Sequence, residues 1–170
     1  MGKGVRDPRS DDSLRRKELA MIKVEDMMTR HPHTLLRTHT LNDAKHLMEA
    51  LDIRHVPIVD ANKKLLGIVS QRDLLAAQES SLQRSAQGDS LTFETPLFEV
   101  MHTDVASVAP QAGGLKESAI YMQKHKIGCL PVVAKDVLVG IITDSDFVTI
   151  AINLLELQEE SEPDELDEEQ

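Results

Sequence analysis

From Leu41 onward the apolar positions fall at Leu41, Ala44, Leu47, Met48 and Leu51, the three- and four-residue steps that line up along one face of an α-helix. Thr40 directly precedes this stripe and Asp43 follows three residues later, a capping-box spacing that marks the helix start. Next come HVPIVD, short and β-branched, then polar ANKK, then a second apolar run, LLGIVS; the pattern predicts two strands joined by a turn. Pro57 has no N–H to give to a ladder and is expected at an edge or at the start of its strand. After Ser70 the stretch RDLLAAQ returns to helical spacing. The predicted order is helix, strand, strand, helix.

The same order comes round a second time. Residues 41 to 59 align without gaps on residues 115 to 133, with Leu41, Met48, Ile53, Pro57 and Val59 recurring as Leu115, Met122, Ile127, Pro131 and Val133. On either side VEDMM at 24 to 28 matches LFEVM at 97 to 101, and GIVSQRD at 67 to 73 matches GIITDSD at 140 to 146. The second copy ends in a longer helical stretch, DSDFVTIAINLLEL. The predicted fold class is therefore α/β (α+β), two repeats each with a small sheet packed against helices. So small a sheet cannot cover its own apolar face, which predicts that the copies pack together about a pseudo-twofold axis. The expected divisions are a polar, flexible leader over 1–20, repeat one over 21–77, a polar linker over 78–96, repeat two over 97–155, and an acidic, disordered tail over 156–170. Met21, which opens the first structured material, is an alternative start.

Composition narrows the functional classes. The 170 residues carry 19 Lys and Arg against 29 Asp and Glu, net −10, and nine of the acids lie in the last fifteen residues, so the body is nearly neutral and the tail is a solvated acidic end. Three Phe, one Tyr and no Trp leave a core of aliphatics and Met and no aromatic platform for single-stranded nucleic acid. Cys129, the one cysteine, rules out an internal disulfide and multi-cysteine zinc patterns and suits a reducing, cytoplasmic setting. No apolar run reaches the length of a membrane span. His31, His33, His39 and His46 lack a carboxylate at ligand-like spacing. No Ser–His–Asp order, paired-carboxylate site or Walker-type loop is present, so no enzyme is expected.

The doubled pattern resembles the cystathionine β-synthase (CBS) domain family, in the tandem arrangement called a Bateman module. The resemblance spans residues 24 to 150 and includes the helix-to-Pro segment and the glycine-to-aspartate ending in both copies. It implies a stand-alone regulatory module with no cofactor requirement, binding AMP, ADP or ATP between the repeats. It also implies a homodimer that signals to a regulated protein partner through a ligand-dependent change of shape.

Carried over by position, the family's ribose carboxylate falls on Asp73 and Asp146, and the phosphate-facing hydroxyl on Ser70 and Thr143. The chemistry is sound: a carboxylate accepts from two hydroxyls, and a helix N-terminus welcomes an anion. The same [ST]-x-x-D spacing is also an ordinary helix cap, which would need no ligand. Before each Pro the copies differ. Arg54 and His55 stand where relatives place phosphate-reaching basic residues, whereas Gly128 and Cys129 cannot serve. Arg72 and Lys126 are further phosphate candidates, and Ile53, Val56, Ile127 and Leu130 either line an adenine slot or simply pack the core. Two other readings stay open: a dimerisation or protein-interaction module with empty clefts, and S-adenosylmethionine binding, for which Arg54 is a poor neighbour of the sulfonium. Phe147, Ile150, Ala151, Leu154 and Leu155 are the expected dimer contact.

Overall fold

A computed structural model describes residues 22–84, 93–111 and 114–160. The leader, most of the linker and the far end of the acidic tail lie outside the described residues. In chain order the elements are α1 (Val24–Met27), β1 (Thr29–Arg30), β2 (Leu35–Leu36), α2 (Leu41–Leu51), β3 (His55–Val59), β4 (Leu65–Ser70), α3 (Gln71–Arg84), α4 (Leu115–His125), β5 (Cys129–Ala134), β6 (Val137–Thr143) and α5 (Asp144–Glu159), with a 3-10 turn at Leu97–Glu99 before α4. Each repeat thus contains helix, strand, strand, helix. Helix α3 runs on to Arg84, past Gln78, where composition alone had placed the start of the linker.

The stripe of α2 buries Leu41, Ala44 and Met48. Its start is held by the Thr40–Asp43 box: the Thr40 N–H donates to Asp43 Oδ2 at 2.8 Å and the Asp43 N–H to Thr40 Oγ1 at 3.3 Å. Those bonds hold the Asp43 carboxyl below its ordinary pKa, the backbone N–H of Thr40 being the main cause. Helices α2 and α4 end on left-handed residues, Asp52 at φ 52° and Lys126 at φ 57°. The next N–H groups, of Ile53 and Ile127, return to Met48 and Met122 carbonyls at 3.0 and 3.1 Å. This helix-ending turn sets the direction in which Arg54 and His55 leave the first helix.

The strands form two three-stranded sheets, ordered β2-β3-β4 and β1-β6-β5. The second is mixed in origin, because β1 precedes the first repeat's helix yet pairs with the second repeat's strand, Thr29 with Ile141 and Arg30 with Gly140. The exchange is mutual: His102, in the segment that opens the second repeat, bridges Ile68 of β4 through two hydrogen bonds of 3.0 Å. The cores follow the same exchange. Leu97, Val100 and Met101 pack with Leu41, Val56, Ile58 and Val69 of the first repeat, while Val24, Met27 and Met28 pack with the second repeat's Val132, Leu130 and Ile142.

This crossing accounts for the glycine in each G-h-h-[ST] ending. A Cβ at Gly67 would lie 2.7 Å from the His102 carbonyl oxygen and 2.9 Å from Met101 Sδ, and one at Gly140 would collide with Met28 Sδ. Each glycine leaves room for the opening segment of the other repeat to lie flat on its strand.

Pro57 overturns one expectation. It is the third residue of β3, the central strand of its sheet, and is fully buried. Its antiparallel partner Ile68 gives both backbone groups to His102, and the two-residue β2 joins only at Ile58 and Val59. The absent N–H therefore falls where the ladder requires none. Pro131 lies in the outermost named strand of its sheet, β5, but there too the outer side is bonded: the Val108 N–H donates to the Pro131 carbonyl at 3.0 Å and the Val133 N–H to the Val108 carbonyl at 2.9 Å.

Candidate functional site

Both [ST]-x-x-D endings bring the aspartate back onto the residue that starts its helix, in a full capping box at Thr143. Ser70 gives its N–H and its hydroxyl to Asp73 Oδ2, each at 2.7 Å, and Thr143 gives the same two groups to Asp146 Oδ2 at 2.7 and 3.0 Å. One carboxylate oxygen in each repeat is thereby committed to starting a helix. The other oxygens differ. Asp73 Oδ1 lies 2.8 Å from His102 Nε2, whereas no hydrogen bond or ion pair reaches Asp146 Oδ1 among the described residues.

A cleft of about 310 Å³ opens where the repeats meet. From the second repeat it is lined by Ile141, Thr143, Asp144 and Ser145, and from the first by Ile53, Arg54 and His55 with the 29–33 segment. Thr143 thus reaches the cleft wall and its capping partner Asp146 sits on the first turn of the same helix. Arg54 Nη2 donates to Asp144 Oδ1 at 3.0 Å and to Ser145 Oγ at 3.1 Å. This ion pair joins the two repeats across the cleft mouth. Both partners are about half exposed, so its contribution to stability is about 0–1 kcal/mol.

The His55 ring sits against Gly128, where a Cβ would lie 2.8 Å from its Cε1. The small residue that counts against a phosphate contact in the second repeat is what admits the imidazole of the first. Burial lowers the His55 pKa, and the nearby Asp144 carboxylate partly opposes it. Cys129 is buried in β5 and pushed up to about 12 by burial first and by Asp144 second, an inert thiol. Among the described residues no three His, Cys, Asp or Glu side chains are grouped to hold a metal.

Of the sequence-selected residues, the cleft brings together Ile53, Arg54, His55 and Thr143; Asp146, on the first turn of α5, is not itself in the lining. Ser70, Asp73 and Arg72 lie at the corresponding start of α3 and do not line it. Val56 and Leu130 are buried in the cores of their own repeats, and Ile127 packs against the second core. Phe147 also joins that core. Three residues with a part in the site were not singled out from sequence: Asp144 and Ser145, the two variable positions of the second capping motif, and His102, which follows the Met of the repeated VEDMM and LFEVM segments. Aligning those positions between repeats, Asp144 with Gln71 and His102 with Thr29, was the available signal.

The CBS domain family model matches residues 24–80 and again 97–153. A homoserine O-acetyltransferase of Methanocorpusculum labreanum is 35% identical over 115 residues, 68% of this chain but 21% of that enzyme. The chain therefore spans about a fifth of that curated relative. The CBS domain-containing protein YhcV of Bacillus subtilis is 32% identical over 133 residues, 78% of this chain and 86% of YhcV. Among solved structures, a Vibrio cholerae protein provisionally assigned to acetoin utilization (AcuB) is 92% identical at a TM-score of 0.70, covering 84% of this chain and 99% of its own. The CBS domain pair of protein MJ0100, in complex with 5′-methylthioadenosine and S-adenosyl-L-methionine, is 26% identical at a TM-score of 0.67, over 79% and 98% of the two chains. CBSX2 in complex with AMP is 28% identical at 0.66, over 78% and 98%.

Proposed function

Because the chain belongs to the CBS domain family as a tandem pair, we propose that it is a regulatory module that binds an adenosine compound in the cleft between Arg54 and Thr143. The observation that carries this reading is Asp146: one oxygen caps α5, no described residue bonds the other, and the start of the same helix, Thr143 to Ser145, lines a cleft of about 310 Å³. The uncommitted oxygen accepts a ribose hydroxyl. The adenosine ligands bound by MJ0100 and CBSX2 support the ligand class. In the other repeat Asp73 has spent both oxygens, on Ser70 and on His102, so we assign one ligand per chain, to the Asp146 side.

The proposed role is cytoplasmic and regulatory, occupancy being passed to a protein partner through a shift of one repeat against the other. The ligand can drive that shift by no more than its difference in affinity for the two states. We also propose a homodimer. Helix α5 carries no buried residue, and Val148, Ile152 and Leu155, spaced four and three apart on one face, are 59%, 50% and 59% exposed. A continuous apolar stripe left in water is the mark of an interface.

The test is thermal unfolding with adenosine, 5′-methylthioadenosine, S-adenosylmethionine, AMP and ATP, followed by calorimetry. A ligand at a hundred times its Kd adds about 2.7 kcal/mol, several degrees for a chain this size. Asp146→Ala should abolish the shift, and Asp73→Ala should leave it. The loss in Asp146→Ala should be smaller for 2′-deoxy compounds, which already lack one donor. No shift with any of these compounds in a cooperatively folded protein would transfer the assignment to a ligand-free dimerisation module.

A further inference from the structure

A polyphosphate site needs cations free to converge on it. The cleft wall holds two arginines, Arg30 and Arg54, and two aspartates, Asp52 and Asp144, so its fixed charges cancel. Arg30 gives an N–H to the Glu25 carbonyl at 2.8 Å. Arg54 is already held by Asp144 and Ser145. The other basic side chains on the wall are three histidines, His31, His33 and His55, of which His55 is kept toward its neutral form by burial.

The start of α5 would ordinarily help. Free N–H groups and the helix dipole favour an anion there, but the first residue of the helix is Asp144. Its carboxylate already puts a negative charge at this helix start, 3.0 Å from the Arg54 Nη2 that bridges the repeats. The corresponding position in the first repeat is the neutral Gln71.

We propose that Asp144 is the specificity residue of the cleft: an internal anion that confines it to adenosine compounds with at most one phosphate and excludes di- and triphosphates. This rests on the adenosine reading above and narrows it. One phosphate can still use the guanidinium N–H groups that Asp144 leaves, and a cationic tail gains Asp144 as a partner. The presence of Arg54 therefore does not count against a sulfonium ligand, because its charge is matched.

The experiment is calorimetric titration of adenosine, AMP and ATP into the full chain and into Asp144→Asn, which keeps the shape and removes the charge, with Asp144→Ser as a second variant. Cooperative unfolding of each variant is checked first. The wild type should bind AMP at least about tenfold more tightly than ATP. Either substitution should tighten ATP by about tenfold, the effect of removing one charge a few ångströms from a polyanion, while adenosine changes by less than about twofold. Equal wild-type affinity for AMP and ATP, or equal changes for ATP and adenosine in the variants, would overturn the role of Asp144 and leave the adenosine site standing. No binding of any of the three to wild type or variants would overturn the adenosine site and this inference together.

Discussion

His55 shows how one residue can be set by a neighbour in the other repeat. Its imidazole lies against Gly128, with Asp144 and Arg54 on the cleft side and Asp73 and Arg72 from its own repeat within electrostatic reach. Burial is the largest influence and lowers the pKa below the ordinary value of about 6.5. The sign follows directly. Above about 6.5 the ring is neutral in both the folded and the unfolded chain and the contribution to stability is complete; below it the unfolded chain takes up the proton more readily, so stability falls with pH. The wild type should therefore lose more thermal stability between pH 7.5 and pH 5.5 than His55→Gln does. Equal losses in the two proteins would show that the ring is not the titrating group. The placement of His55 before Pro57 was legible in the sequence. Its packing on Gly128 was not, because no periodicity connects residues brought together only by the meeting of two repeats. The same holds for Arg54 and Asp144, which local reading treats as a surface cation and a cap-motif spacer.

At the scale of elements, the sequence revealed the helical stripes, the capping boxes and the doubled strand pairs, since each follows from local spacing. It did not reveal β1 or β2, whose two residues are too short for any alternation, nor therefore the central position of Pro57, which depends on β2 pairing along β3. The repeated glycines could be aligned but their purpose could not be read until Met101 and Met28 were seen to lie over them. A difference follows between the two. At Gly67 the nearest obstruction is a backbone oxygen, which cannot turn aside, whereas at Gly140 it is the sulfur of a flexible side chain. Gly67→Ala should cost about 1–3 kcal/mol and more than Gly140→Ala, measured as the shift in urea midpoint at constant m-value. The reverse order would mean that Met28 is held more firmly than the His102 backbone.

On the scale of the whole molecule, one surface of α5 is left uncovered among the described residues. Phe147 turns inward to the second core, but Val148, Ile152 and Leu155 face solvent together with Leu154. Phe147, expected from sequence at a dimer contact, packs on the second core, and its neighbour Val148 is exposed. Light scattering should report a dimer for the wild type, and Ile152→Glu or Leu155→Glu should halve the mass while circular dichroism is unchanged. A wild type that is monomeric at concentrations used for calorimetry would remove the dimer and leave the intrachain cleft intact.

The crossed pairing of the sheets also dictates an order of assembly. Thr29 waits for Ile141, and Ile68 for His102. A nascent chain that has emerged only through β4 has its first helix and two strands, yet it lacks the segment that seals them, and β1 has no partner at all until nearly the whole chain has been made. Closing such distant contacts is slow compared with forming a helix or a hairpin. Thr29 and Arg30, made early, are therefore among the last of the described residues to find their place, and a half-made chain keeps its glycine strand open to the matching segment of a neighbour.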